Sequence, residues 1–377
     1  MTAVGISKEI KSNEKRVGLV PDAVARLTAE GIDVFVESGA GSASGFPDEN
    51  YVRAGGSVVS SRQELYKKCG LIVKVKEPQK EEFLLLTPRH ILFCFLHLAS
   101  PEQCGLLEAI VKSKATAIGY ETVIKDGGVP ILKQMSLIAG GLAMIYAAYF
   151  KENRLPNQDR TVPGDLYERL QKLAAAYPAI PAISSEGKAL IYGGGNAGFS
   201  AALTAKSLGW EVFVVEAAGG RRKWVAGKGI NVLAPDEVTF EVMTAADVLI
   251  GCGHSAGERA QKVMTVADLE KISACHKKIL MDVSIDQGGN FPDSLSAPYH
   301  SPLVYDRFGN LRFCVPNIPA LCGTYASEKL SAETLPYIKA LAEGQDPAFE
   351  RMPELKAAVN VQDGRILLEA VRKAHQQ

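Results

Sequence analysis

Over roughly the first 130 positions, short apolar runs alternate with amphipathic stretches. VGISKEI, DVFVESG, LIVKVKE, ILFCFLHL and ATAIGYETV are rich in β-branched residues and read as strands. PDAVARLTAEG and PEQCGLLEAIVKSK read as the helices between them, the first closed by Gly31. Strands alternating with helices predict an α/β layer with mostly parallel strands. From Met135 to Phe150, MSLIAGGLAMIYAAYF predicts an apolar, small-residue-rich helix suited to tight packing. KENRLPNQDRTVPGDL then turns polar and proline-bearing, which marks a surface loop. Leu166, Leu170 and Leu173 place a short amphipathic helix from about Asp165.

A second α/β unit opens at KALIYGGGNAGFSAALTAKSLGWEVFVVEAA and continues through the strand candidates INVLA, ADVLIGCG, KKILMDVSID and NLRFCVPN. Beyond Asn317, SAETLPYIKALAEG and ELKAAVNVQDGRILLEAVRKAHQQ read as helices that return to the first domain. The expected division is a substrate domain over 1–134, a nucleotide-binding domain over 135–318 and C-terminal helices over 319–377.

Composition narrows the function. Lys plus Arg equals Asp plus Glu at 42 each in 377 residues, so the basic footprint of a nucleic-acid binder is missing. No uninterrupted apolar run reaches the length of a membrane span. MTAVGISKEIKSNEKR carries charges where a signal peptide has its apolar core. Seven cysteines without a CxxC pair suggest free thiols in a reducing cytoplasm. Neither zinc spacing, HExxH nor a Ser/His/Asp signature is present, so no metal is expected.

The clearest motif is ALIYGGGNAG, which fits G-x-G-x-x-G through Gly193, Gly195 and Gly198. Such glycines permit a tight turn, close approach of backbone to a pyrophosphate and close helix–strand packing. The helix that follows offers free N–H groups and its positive dipole end to phosphates. Glu216 ends the next strand, 18 residues beyond Gly198, where an acid accepts hydrogen bonds from the adenosine ribose. A carboxylate there repels a 2′-phosphate and argues for NAD(H) over NADP(H), although Arg221 and Arg222 stand close enough to hold one.

The first domain offers cations and one histidine. Arg16 lies at a strand–loop boundary, and Lys74 and Lys76 share one face of a strand. Two lysines so placed commonly mark a solvated edge; the functional alternative is a pocket for a substrate carboxylate. His97 ends an apolar run, where the bland reading is a core histidine satisfied by backbone. In the second domain Asp286 follows a strand end, where ligands sit in such sheets. Asp282, within that apolar run, suits structural hydrogen bonds better.

Taken in order, KEIKSNEKRVGLVPDAV, ESGAGSASGFPDENYVRAGG, VKVKEP, ILFCFLHLAS, AIGYETV, MSLIAG, GGGNAG, DVSIDQGG, CVPNIPA and TYA resemble the alanine dehydrogenases, relatives of the NAD-binding subunit of the transhydrogenases. KVKEP and HLA favour the dehydrogenase branch. The resemblance implies an α/β fold of two Rossmann-like domains with parallel sheets, an active site in the cleft between them, and a homo-oligomer. It implies that Arg16 and Lys76 bind the substrate carboxylate and that His97 hydrogen-bonds the reacting oxygen. Asp286 would assist proton transfers, and Ser136 and Asn317 would touch the cofactor. The substrate implied is a small amino acid or its 2-oxo acid. Three departures stand out. TVPGDLYERLQKLAAAYPAIPAISSEG replaces a glycine-rich segment, Leu137 replaces an acid, and GCGHSAGERAQK replaces an apolar loop over the cofactor. That last change brings in His254, Glu258 and Arg259, making His254 a candidate cofactor contact or a plain surface histidine. The alternatives are an imine reductase joining a 2-oxo acid to a larger amine, a transhydrogenase-like subunit, and a nucleotide-sensing pseudoenzyme.

Overall fold

The computed structural model describes residues 1–155, 164–183, 186–253, 260–296 and 303–375. It divides into two compact units, Met1–Met135 with Gly323–Gln377, and Ser136–Cys322.

In the first unit eight strands form one sheet: β1 (Val4–Ile6), β2 (Val34–Glu37), β3 (Ser57–Val59), β4 (Leu71–Lys76), β5 (Ile91–Phe95), β6 (Thr116–Gly119), β14 (Val359–Gln362) and β15 (Arg365–Ile366). Their order is β15-β14-β6-β5-β4-β1-β2-β3. The chain winds outward from β1 to β3, returns to lay β4 beside β1, then winds the other way to β6. All these pairings are parallel. The order reverses between β1 and β4, which makes that point the switch point of the sheet. β5 is buried along its whole length, as its unbroken apolar sequence requires of a strand covered on both faces. Leu65, Ile72, Leu92, Leu107 and Ile110 form part of the core on one side.

One expectation fails here. ELKAAVNVQDGRIL is not one helix: a short helix Pro353–Ala357 gives way to the hairpin β14–β15, whose strand β14 runs antiparallel to β6. Asp363 and Gly364 turn the hairpin with φ of 50° and 75°. That is the backbone a two-residue Asp-Gly turn prefers, and it outweighs the helical spacing on either side. β3 was not foreseen either, and VGISKEI forms a strand only as far as Ile6.

The second unit repeats the winding in a seven-stranded sheet ordered β12-β13-β11-β10-β7-β8-β9. Its strands are β7 (Lys188–Tyr192), β8 (Glu211–Val215), β9 (Asn231–Leu233), β10 (Val248–Gly251), β11 (Ile279–Asp282), β12 (Val304–Arg307) and β13 (Asn310–Phe313). Among these described strands β12 alone runs antiparallel, at the edge. The switch point lies between β7 and β10. Helix Pro130–Glu152 is long and apolar enough to cross a membrane by length and composition, but 67% of its most apolar window is buried inside the protein. In the second unit that helix packs Tyr146 and Phe150 against Phe313. Helix Leu166–Ala176, in the segment that departs from the family pattern, buries Leu166, Leu170 and Ala174 and accepts a hydrogen bond from Tyr146 Oη at the Leu170 carbonyl.

Candidate active site

In the first unit the candidate residues gather at the carboxyl ends of the central strands. Lys74 and Lys76 lie two residues apart on β4, yet their surroundings differ. Lys74 is 1% exposed and forms ion pairs with Glu82 at 3.1 Å and Glu9 at 3.6 Å. Burial alone would depress its ammonium, but these two carboxylates outweigh it and hold the pKa above the usual lysine value. Lys76 is half-buried, and burial together with the neighbouring Arg16 charge keeps its pKa below that value. β4 lies inside the sheet between β1 and β5, so the solvated-edge reading of the lysines does not hold.

Arg16 is 2% exposed. Its Nε and Nη2 donate to the two oxygens of Glu14 at 2.7 and 2.6 Å, and Nη1 approaches Met135 Sδ at 3.1 Å. The bidentate grip that suits arginine to a carboxylate is thus made on Glu14 in this structure. A buried guanidinium calls for such a partner, and asking which acid supplies it is the signal that would have found Glu14. Glu77, next to Lys76, pairs with Lys11 at 2.5 Å; burial raises its carboxyl, and Lys11, Lys76 and a backbone hydrogen bond together more than offset that.

His97 stands two residues past the end of β5, and β5 pairs Phe95 with Lys76. Adjacent parallel strands lie about 4.8 Å apart, so this pairing brings the end of β4 and the segment that leads to His97 to the same edge of the sheet. The imidazole stacks on Phe95 with ring centres 5.9 Å apart. It makes no hydrogen bond to the described residues, so the satisfied-core reading does not apply. The His97 backbone is left-handed, with φ 49°, which costs a non-glycine residue about 1 kcal/mol. Glu121 holds it there, accepting the N–H groups of Leu96 at 3.2 Å and His97 at 2.7 Å. AIGYETV contains Glu121, but its role rests on a contact across 24 residues that no local pattern displays.

In the second unit the glycine turn follows β7 at the switch point. Gly193 has φ 98°, and a Cβ there would meet the Cys252 backbone at 2.8 Å. A Cβ on Gly198 would lie 1.8 Å from the Gly193 carbonyl oxygen. On Gly195, the N-cap of helix Asn196–Ser207, a Cβ would meet none of the described residues within 4 Å. Two glycines are therefore required by the protein itself, while the third, at a helix N-terminus, is clear of the described residues. Such a cradle fits a pyrophosphate. Glu216, half-buried at the end of β8, accepts the Gly194 and Ala218 N–H groups, each at 2.8 Å. Arg221 donates to the Gly194 carbonyl and lies over the Trp224 ring at 4.1 Å, while Arg222 donates to the Glu216 and Ala217 carbonyls. Both arginines are thus engaged with this turn rather than simply solvated.

Asp286 is exposed in the turn Ile285–Gln287 after β11. Lys262 ties the following backbone, donating to the carbonyls of Gly288, Gly289 and Phe291. Asp282 is 1% exposed and accepts from the N–H groups of Asn290 and Phe291 and from Ser294 Oγ, a structural role. Asn290, fully buried, bonds Gly253 and Gln261 and so staples together both sides of the altered loop. His254, Glu258 and Arg259, inside that loop, lie outside the described residues. Ser136 is half-buried in helix Pro130–Glu152, and Asn317, with φ 55°, precedes the turn Ile318–Cys322.

The family model described as alanine dehydrogenase/PNT, N-terminal domain, matches residues 5–139, and the corresponding C-terminal domain model matches residues 168–369. An alanine dehydrogenase of Methanococcus maripaludis is 31% identical over 99% of this chain and 96% of its own. A solved L-alanine dehydrogenase superposes with a TM-score of 0.85 at 32% identity, covering 99% of this chain and 98% of that one. A solved transhydrogenase from Sinorhizobium meliloti shares the fold, with a TM-score of 0.76 at 23% identity over 98% of this chain and 99% of its own.

Proposed function

The chain belongs to the alanine dehydrogenase/PNT family, and from that premise we propose that it is an NAD(H)-dependent oxidoreductase acting on CH–NH2 groups. It interconverts L-alanine, or another small L-amino acid, with the 2-oxo acid and ammonia. The observation that supports this reading is that paired strands β4 and β5 bring Lys76 and the segment leading to His97 to the same edge of the sheet, with Lys76 in the field of Arg16.

Arg16 and Lys76 supply the positive charge that anchors the substrate carboxylate, Lys76 as the more accessible point charge. His97 hydrogen-bonds the substrate carbonyl oxygen. It gives that oxygen a proton as water leaves, and in the opposite direction it takes one from the water that attacks the iminium carbon. Asp286 assists proton transfers at the amine-bearing carbon. NAD(H), when bound, takes up or supplies the hydride. Gly193, Gly195 and Gly198 with the N-terminus of helix Asn196–Ser207 suit its pyrophosphate, Glu216 its ribose, and Ser136 and Asn317 are further contacts. The Glu216 carboxylate disfavours a 2′-phosphate, which supports NAD(H) over NADP(H). The same reading places the protein in the cytoplasm as a homo-oligomer, and its seven cysteines, without a CxxC pair, suit that setting.

Purified protein mixed with NADH, ammonium and a panel of 2-oxo acids led by pyruvate is expected to oxidise NADH. His97→Ala lowers kcat/KM about 10³-fold and leaves NADH affinity unchanged. No turnover with any 2-oxo acid sinks the deaminase reading. Turnover only when ammonium is replaced by primary amines or amino acids assigns the protein to imine reduction instead.

A further inference from the structure

In the first unit the switch point holds a carboxylate to which the chemistry above gives no task. β1 ends at Ile6 while its neighbour β4 runs on to Lys76, and the β4–β5 pairing breaks register between Val73 and Lys76. Two β4 amides in this stretch are taken up by a side chain. Glu9 Oε1 accepts the Val75 N–H at 2.6 Å and Oε2 the Lys76 N–H at 3.4 Å. The Glu9 side chain is 3% exposed, with Lys74 3.6 Å away. Glu121 makes the same two-amide contact at Leu96 and His97, just past the end of the neighbouring strand β5.

We propose that Glu9 is a positioning residue of the substrate site: its carboxylate clamps the Val75–Lys76 backbone and thereby fixes where the Lys76 ammonium stands. The proposal rests on the assignment of Lys76 to substrate binding. Successive strand side chains point to opposite faces, so a small rotation of this segment swings the ammonium away from its ligand. The ionised carboxylate offers a full acceptor oxygen to each amide, whereas protonation turns one oxygen into a donor and weakens its contact.

The charged and titratable groups facing Glu9 are Lys74 from β4, Glu82 from the turn Lys80–Leu85, Glu14, Cys94 from β5, and Tyr120; Arg62 stands behind Lys74 and Glu82. Burial raises the Glu9 carboxyl, Lys74 lowers it and Glu14 raises it again, leaving it at about 7. The clamp therefore closes as pH rises through neutrality. Stability moves the other way: the folded state binds this proton more tightly than the unfolded chain, so Glu9 lowers stability as pH climbs from 4.5 towards 7.

Glu9→Gln keeps the shape but offers one acceptor. In this variant the Val75 and Lys76 amides are expected to exchange with deuterium about tenfold faster while those of β6 stay as in wild type. The KM for pyruvate, with NADH and ammonium saturating, rises about tenfold and kcat stays within about twofold. Unchanged exchange, or faster exchange with unchanged KM, overturns the proposal. If the variant does not fold, wild-type exchange decides: protection of these two amides must grow between about pH 5 and about pH 9, and a flat profile over that range overturns the clamp. If wild type turns over no 2-oxo acid, the functional reading fails, and the exchange measurement still decides whether the clamp exists.

Discussion

The two sheets wind the same way around a switch point, and the sequence treats the two points oppositely. At β1/β4 the chain installs buried charge: Lys74 between Glu9 and Glu82, with Arg62 reaching Glu82 at 3.6 Å and Glu37 at 3.0 Å. At β7/β10 it removes side chains, through Gly193 and Gly198 beneath the open Gly195. Parallel winding creates a ligand position in either case. What fills it decides the recognition: fixed side-chain charges suit a small charged substrate, and bare N–H groups at a helix start suit a phosphate.

The comparison breaks first at its sealed ends. Lys74→Met leaves Glu9 and Glu82 buried without their cation, and a loss of about 3 kcal/mol in urea unfolding at neutral pH is expected. The counterpart in the second unit is Gly198→Ala. Its Cβ would meet a backbone oxygen that cannot swing aside, so a loss of about 2 kcal/mol is expected together with weakened NADH binding. A Lys74→Met protein with wild-type stability shows that the first crevice is not held by charge.

A smaller effect of opposite sign separates the lysines. Lys76→Met should abolish turnover while the melting temperature stays level or rises by a few degrees at neutral pH. The reasoning follows protons. Burial and Arg16 lower the Lys76 pKa in the folded state, so there the folded protein binds fewer protons than the unfolded chain. Lys76 therefore costs stability at neutral pH, and that cost fades as pH rises towards 10.5; the Met variant lacks this dependence. Melting curves of both proteins at neutral and alkaline pH check it. An active Lys76→Met protein removes Lys76 from the substrate site.

These contrasts explain what the sequence made legible. A backbone cradle is written locally, as glycine spacing between a strand and a helix, so Gly193, Gly195, Gly198 and Glu216 could be read from one stretch. The winding of both sheets follows from alternating strands and helices. The charged crevice is written in pairs, Glu9 with Val75 across 66 residues and Glu37 with Arg62 across 25. Nothing local distinguishes Lys74, sealed between carboxylates, from Lys76, left half-open. Even Arg16 and Glu14, two positions apart, appear as ordinary loop charges until burial forces their pairing. The C-terminal hairpin was legible in part, since Asp363-Gly364 carries its turn, but the leucine and alanine spacing around it spoke for a helix.

The finest test lies within the glycine turn itself. Gly193 and Gly198 answer to the protein, because a Cβ on either collides with backbone. Among the described residues Gly195 answers to no atom within 4 Å, and it has no left-handed φ to explain it. If a phosphate is what requires it, Gly195→Ala should unfold within about 0.5 kcal/mol of wild type. NADH affinity, measured by fluorescence titration, should nevertheless fall about tenfold, because the added methyl group stands where backbone must approach the pyrophosphate. Equal losses of stability and affinity would mean that the glycine serves the fold. Unchanged affinity would mean that the dinucleotide does not approach Gly195, and the cradle would then have to be sought elsewhere along the β7/β10 crevice.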